Sequence, residues 1–243
     1  MIAHRRALTL TILVALAAPA LLACGEDHTD GVAPATVAPT VPAPVVPAPA
    51  VPAPSAPTAA EVPAASPTAL TIDRAASSVG FTAAKVTASH DGSFTDFAGT
   101  IDLPGTDPTQ GRVSVTIQMG SLVIEPARLS SHLRTPDLLD VERFPTATFE
   151  STSIAAGGTG AVAGTPATHT VTGSFTLHGQ TRTITFPAVI SGASDAVTAS
   201  AEFSFRRHDF GITYPGMPDD LIRDEVVIRF QVRAPRTPTA TAS

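Results

Sequence analysis

The chain has 243 residues and a formal net charge of −6, with 23 prolines, one cysteine and no tryptophan. A lone cysteine excludes an intramolecular disulfide, so stability must come from packing. An acidic chain without a basic cluster lacks the electrostatic footprint of a nucleic-acid binder.

In chain order, residues 1–23 come first. "MIAHRRALTLTILVALAAPALLAC" has a short basic start at Arg5 and Arg6, an apolar run and small residues before Cys24. This is the pattern of an export signal, too short and wrongly flanked for a stable membrane span. Leu21-Leu22-Ala23-Cys24 also resembles the bacterial lipobox, in which the cysteine thiol is diacylated and becomes the new N-terminus. Cys24 is the only cysteine, and a proline-rich stretch follows it closely. The expectation is therefore a lipoprotein-type signal cleaved before Cys24, with the mature chain held at a membrane in the periplasm or on the cell surface. Several acyl chains anchor stably where one holds only marginally. The alternative is ordinary cleavage after Ala18-Pro19-Ala20, leaving a free thiol. Loss of residues 1–23 removes two arginines and no acid, which moves the net charge from −6 to −8.

Residues 24–68 read as a disordered linker. Between Val32 and Pro67 the sequence is nearly all Pro, Ala, Val and Thr, with Glu61 as its only charge and no aromatic residue. So few large side chains cannot offset the entropy of ordering. An extended, polyproline-like spacer of this length would reach on the order of 100 Å at ~3.1 Å per residue.

All eleven Phe lie between Phe81 and Phe230, which places one domain at residues 69–234. A domain of that size buries roughly 70% of its unfolded surface. It alternates apolar and polar residues with period 2, the mark of half-buried strands. "SSVGFTAAKV" aligns Val79 and Phe81, "GSFTDFAGTIDL" aligns Phe97 and Ile101, and "RVSVTIQM" aligns Val113, Val115, Ile117 and Met119. After "TATFESTSI", the pair "VTGSFTL" and "TRTITFPAVI" flank "HGQ" as a hairpin, aligning Val171, Gly173, Phe175 and Leu177, then Ile184, Phe186, Ala188 and Ile190. "AVTASAEFSF" and "EVVIRFQV" end the series with Phe203 and Phe205, then Val226, Ile228, Phe230 and Val232. The fold class is all-β, about eight strands, and the periodicity fits an up-and-down barrel or a sandwich. Residues 235–243 read as a disordered tail.

One stretch breaks the pattern. "HLRTPDLLDVERFPTATFEST" carries Thr135 as a helix N-cap, Pro136 at the first helical position and Asp137 near the positive end of the dipole. Before it, "ARLSSHLR" places Leu129 and Leu133 on one side of a helical turn. Pro136 prevents one continuous helix. Two short helical pieces are expected, packed on an open end or the outer wall.

Five segments, "LTIDRAASSVGFTA", "FTDFAGTIDL", "HLRTPDLLDVERFPTATFEST", "VTGSFTLHGQTRTITF" and "RHDFGI", occur in the order found in the YceI-like family of bacterial periplasmic lipid-binding proteins. The resemblance spans residues 70–233. It implies an extended, lipocalin-like antiparallel barrel with a short helical insertion beside it, and a long apolar channel for a polyisoprenoid or similar lipid. The chain departs at Leu129-Ser130, where many members carry Arg-Asp. The candidate lipid-binding residues are Val79, Phe81, Val115, Ile117, Phe175, Leu177, Ile184, Phe186, Phe203, Phe205, Ile228 and Phe230; alternatively they fill a solid core, as in small barrels. His132, Arg134, Arg207 and His208 match motif positions and are candidates for a polar or anionic head group, Arg suiting phosphate; the alternative is structural hydrogen bonding. Asp209-Phe210-Gly211 reads as a turn or strand end.

Catalysis finds no pattern. No G-x-S-x-G elbow occurs, the seven His are scattered without H-x-x-x-H or cysteine clusters, and "GGTGAVAG" at 157–164 lacks the P-loop ending and reads as a flexible loop. The expectation is a lipid-anchored carrier that is not an enzyme and uses no cofactor and no metal, its partners being the lipid ligand and, through acylated Cys24, the membrane. A competing reading is an envelope adaptor that binds other proteins by its surface; a hydrolase ranks below both.

Overall fold

A computed structural model of the chain describes residues 29–38 and 69–236. The expected export signal, Cys24, most of the expected linker and residues 237–243 lie outside the described residues. In chain order the elements are β1 (Thr36–Val37), β2 (Ala69–Thr71), β3 (Ser78–Lys85), β4 (Ser89–Phe94), β5 (Phe97–Asp102), β6 (Arg112–Gln118) and β7 (Leu122–Ile124). Then come α1 (Ala127–Leu133), β8 (Thr146–Ala156), β9 (Ala161–Val162), β10 (Thr165–Pro166) and β11 (His169–Leu177). The domain ends with β12 (Gln180–Gly192), β13 (Ala196–Arg206), β14 (Gly216–Met217) and β15 (Asp220–Pro235).

These strands form eight staves of one antiparallel meander, because three staves are each interrupted once. β2 and β3 are one stave broken by a 3-10 turn, Arg74–Ala76, whose amides at Ala75 and Ala76 are capped by the Asp73 carboxylate. β4 and β5 form a second stave and β6 and β7 a third: Phe97 faces Ile117 and Phe94 faces Leu122, with Thr95-Asp96 bulging opposite the turn Met119–Ser121. β8, β11, β12, β13 and β15 are the remaining five. β15 pairs back onto β3, Ile228 against Phe81 and Phe230 against Val79, so the sheet closes. Closure decides for the barrel over the sandwich, and it removes the exposed edges an open sheet would leave.

The hairpin expected around "HGQ" turns on His178 and Gly179, both at positive φ (50° and 70°), the conformation whose twist matches a two-residue hairpin. Gly179 has a second reason to be glycine, since an added Cβ would lie 2.5 Å from the Phe144 ring. Gly211, also at positive φ, ends the 3-10 turn Arg207–Phe210, so Asp209-Phe210-Gly211 does set a turn. The Gly-rich stretch expected as a flexible loop instead contains the β9–β10 hairpin, turning on Ala163 and Gly164.

Three further segments differ from the sequence expectation. Residues 29–38, expected as part of a disordered spacer, include β1, which pairs with β12; the spacer's alternating small side chains leave its backbone free to add to a sheet. Pro235 and Arg236, expected in a tail, belong to the barrel: β15 runs through Pro235, and the Arg236 amide donates to Asp195 O at 2.8 Å. The third is the helical insertion. α1 is the single helix there, and residues 135–143 form hydrogen-bonded turns rather than a second helix. The Thr135 hydroxyl, expected to cap forward, donates backward to His132 O at 2.8 Å. The reason is tertiary: Leu138 is buried in the core, and its burial outweighs the local helix-start signal.

Ser130 explains how α1 is fixed. Its hydroxyl accepts from Ile124 N at 2.9 Å and donates to Ile124 O at 3.0 Å, clamping the helix to β7. Both bonds are buried, so Ser130→Ala orphans one donor and one acceptor and is expected to cost about 2–4 kcal/mol. Urea unfolding checks this, and a loss below about 1 kcal/mol would mean that water or another group takes over both bonds.

Candidate functional site

The barrel interior divides into two halves. In one, the inward rings of nearby staves pack on one another: Phe186 stacks on Phe203 with centroids 4.3 Å apart, Phe149 lies 5.5 Å from Phe186, and Val79, Val115 and Ile184 are buried in the same core. In the other half the staves stand over a cavity of about 710 Å³.

Strand walls supply Phe81, Ile117, Phe175, Leu177, Phe205, Ile228 and Phe230. α1 and the turns after it supply Leu129, His132, Leu133, Leu138 and Leu139, and the loop before β15 adds Ile212 and Tyr214. The helical insertion therefore closes one side of the open half, with Leu129 and Leu133 on the inward face, as their four-residue spacing requires. A concave, largely apolar space with a few polar groups is the form of a binding site for an apolar ligand.

Arg207 is the polar group built most deeply into this wall. Only 4% exposed, it donates from Nε to Arg223 O (3.0 Å), from Nη1 to Ile212 O (2.6 Å) and from Nη2 to Ile222 O (3.2 Å). Desolvation pulls its basicity below the ordinary value, partly opposed by the nearby Asp224 carboxylate, yet a guanidinium stays charged at any working pH. Three backbone acceptors leave part of its five-donor fork unused. His132 also lines the wall, its ring edge-on to Tyr214 at 5.5 Å.

A family model, the YceI-like domain, matches residues 70–234. The chain belongs to the YceI-like family. Among curated relatives, a UPF0312 protein of Pseudomonas putida is 32% identical over 131 residues, 51% of this chain and 65% of the relative. Protein YceI of Salmonella arizonae is 34% identical over 128 residues, 50% of this chain and 63% of the relative. The match thus spans just under two thirds of those relatives' lengths. Among solved structures, Burkholderia cenocepacia BcnA superposes with a TM-score of 0.57 at 24% identity, covering 67% of this chain and 99% of that one. A polyisoprenoid binding domain from Saccharophagus degradans, implicated in plant cell wall breakdown, superposes with a TM-score of 0.54 at 15% identity, covering 69% and 98%. At these identities the superpositions establish a shared fold.

Within this YceI-like barrel the sequence candidates fall into two groups. Phe81, Ile117, Phe175, Leu177, Phe205, Ile228 and Phe230 lie on the cavity wall, whereas Val79, Val115, Ile184, Phe186 and Phe203 sit in the packed half, outside it. All twelve face inward or pack against the core. Of the head-group candidates, His132 and Arg207 reach the wall. Arg134 does not, since its Nη2 donates to Leu122 O. His208 does not either: its backbone N–H and Nδ1 both engage Asp224, at 3.0 and 3.1 Å. Further lining residues fall outside the alternation. Leu122 and Ile124 lie just past a strand interruption that resets it, and Leu138 and Leu139 project from turns that have no period.

The mouth is pinned by Asp220. Lys85 Nζ pairs with Asp220 Oδ2, Thr87 N donates to Oδ1 at 3.2 Å and Thr87 Oγ1 to Oδ2 at 2.9 Å, tying the β3–β4 turn to β15. The bond from Lys85, with those from Thr87, outweighs desolvation and holds this carboxyl below its ordinary value. A carboxyl with a depressed folded pKa contributes stability above its unfolded pKa of ~3.9 and loses it as pH falls through the folded value. The urea midpoint of the native protein should therefore exceed that of Asp220→Asn at pH 7, and the gap should shrink as pH falls through the folded value. A gap that does not change with pH would exclude the ion pair as its source.

Proposed function

We propose that this protein is an envelope lipid carrier: the hollow half of the barrel holds the apolar tail of one polyisoprenoid or similar long-chain lipid, without catalysis or a cofactor. The observation that carries the reading is the cavity of about 710 Å³, apolar on nearly every side and set in a closed barrel of the same fold as a polyisoprenoid binding domain. Arg207 and His132 would meet a polar or anionic head group. Val86, Met217 and Leu221 are exposed at 62%, 62% and 48% around the β3–β4 turn and the β14–β15 hairpin, and such apolar side chains suit the uptake of a tail from a bilayer. The N-terminal sequence supports export, acylation at Cys24 and residence at a membrane in the periplasm or on the cell surface.

The test is mass spectrometry, native and after solvent extraction, of protein purified from its host envelope. A stoichiometric polyprenyl or quinone species is expected in the native protein, and a strongly reduced amount in a folded Leu129→Glu variant, which sets a charge on the wall. An empty barrel that also refuses added isoprenoids would overturn the reading. Tail length gives a second check. Each buried methylene contributes on the order of 0.8 kcal/mol before ordering costs, so affinity should rise with isoprenoid length and level off once the cavity is full. Titration with a graded prenyl alcohol series reads this directly, and affinity independent of length would place binding outside the cavity.

A further inference from the structure

β12 and β13 pair only from Ala188↔Ala201 to Gly192↔Val197. Beyond Ala188 they part, and residues 33–38 run through the opening. Ala35 N donates to Ser204 O at 2.7 Å, Ser204 N donates to Ala33 O at 3.1 Å, and Ala38 N donates to Thr183 O at 2.9 Å. Thr36 and Val37 face Thr185 and Ile184 in antiparallel register, while Pro34 bridges Ser204 in the parallel sense. That mixed geometry is what a strand lodged between two antiparallel neighbours must adopt.

The inserted side chains alternate as a strand should: Ala35 and Val37 pack against the core, whereas Pro34, Thr36 and Ala38 are exposed. Ser204 is 4% exposed, and both its backbone groups are satisfied here by the inserted segment. Because β12–β13 pairing stops at Ala188↔Ala201, the backbone of Ser204 and Thr183 finds no partner across the opening except an inserted strand, so the opening is a strand-accepting site by its own chemistry. Its occupant must be extended, have small or β-branched side chains, and place free N–H groups where Ala35 and Ala38 stand. The proline-rich tether meets that demand because its prolines at 34 and 39 flank those donors.

We infer that the cleft between β12 and β13 is a strand-binding site whose ligand is the chain's own tether, residues 33–38, and that its occupancy sets how far the barrel stands from residue 24. The short run from Cys24 to Ala33 reaches at most ~30 Å. With the strand released, residues 33–68 are added to the tether, extending its reach to on the order of 100 Å or more. The short inserted strand is held by few bonds while residues 39–68 separate it from β2, so docking competes with loop-closure entropy. The consequence for distance from a membrane rests on the acylation of Cys24 proposed above; the strand site itself does not.

The test uses the full mature chain with Cys24→Ser and spin labels at Asp30→Cys and Thr198→Cys. Electron double resonance should give a short, narrow distance distribution, which Ala35→Pro, lacking one donor, broadens and lengthens. Hydrogen exchange at Ser204, followed without labels, should accelerate at least tenfold in Ala35→Pro, and a synthetic peptide of residues 31–40 should restore protection where the same peptide with proline at position 35 does not. Val37→Asp, which keeps the donors but buries a charge, should release the strand equally. A broad distribution in the unsubstituted tether, or Ser204 exchange unchanged by both substitutions, would overturn the inference. The mass of the Cys24 peptide from the host reads acylation separately and has no bearing on Ser204 exchange.

Discussion

Phe203→Ala should lower the unfolding free energy by about 3–5 kcal/mol, the range for removing a fully buried aromatic ring. Phe203 is 1% exposed, stacked on Phe186 at 4.3 Å and facing Phe230 at 6.2 Å. The staves that carry the two rings are held in register by β15 and β11 on their outer sides, so they cannot close around the vacated volume. Phe81 is the control: it is buried, but it borders the cavity, so its removal enlarges a space that already exists. Phe81→Ala should therefore cost distinctly less, and its effect should fall on ligand binding. Urea unfolding with an unchanged slope decides the matter. Equal losses at the two positions would show that the halves of the barrel are packed alike.

Arg207→Ala should be comparably destabilising, about 3–5 kcal/mol, because it takes the donor from a buried carbonyl at Ile212 and from part-buried ones at Ile222 and Arg223, and empties the buried volume of the side chain. Those carbonyls lie on the loop after β13 and at the start of β15, so the guanidinium ties the two together across the mouth. Arg207→Lys should rescue little, since a point ammonium cannot serve three acceptors spread around a planar fork. The loop carries Ile212 and Tyr214 of the cavity wall, and its loosening should also speed ligand release. Hydrogen exchange across residues 212–223 reads the loop directly. A stability loss under about 1 kcal/mol, with exchange unchanged, would show that Arg207 is placed there for the ligand and not for the fold.

Much of the barrel is legible in the amino-acid pattern. Period 2 names the staves, since a residue's side of a strand depends only on its immediate neighbours. Thr135 misleads because a helix-start signal is worth about 1 kcal/mol, less than burying Leu138. Residues 33–38 mislead because composition describes what a segment cannot do alone and is silent about an opening elsewhere that it can fill. Arg207 stands out as a candidate in its motif, but its three carbonyl partners come from a loop and a strand that nothing local places beside it.

Local pattern alone is enough to define an all-β domain and most of the side chains that face inward. Long-range contacts add what it lacks: the sheet closes through β3 and β15, the interior is packed at Phe203 and hollow at Phe205, and the tether lies in the wall. Alternation along a strand is a local property and reports inside against outside. The place of the cavity, closure and the opening between β12 and β13 are relations between strands far apart in the chain, set by register and stagger, which no single segment encodes.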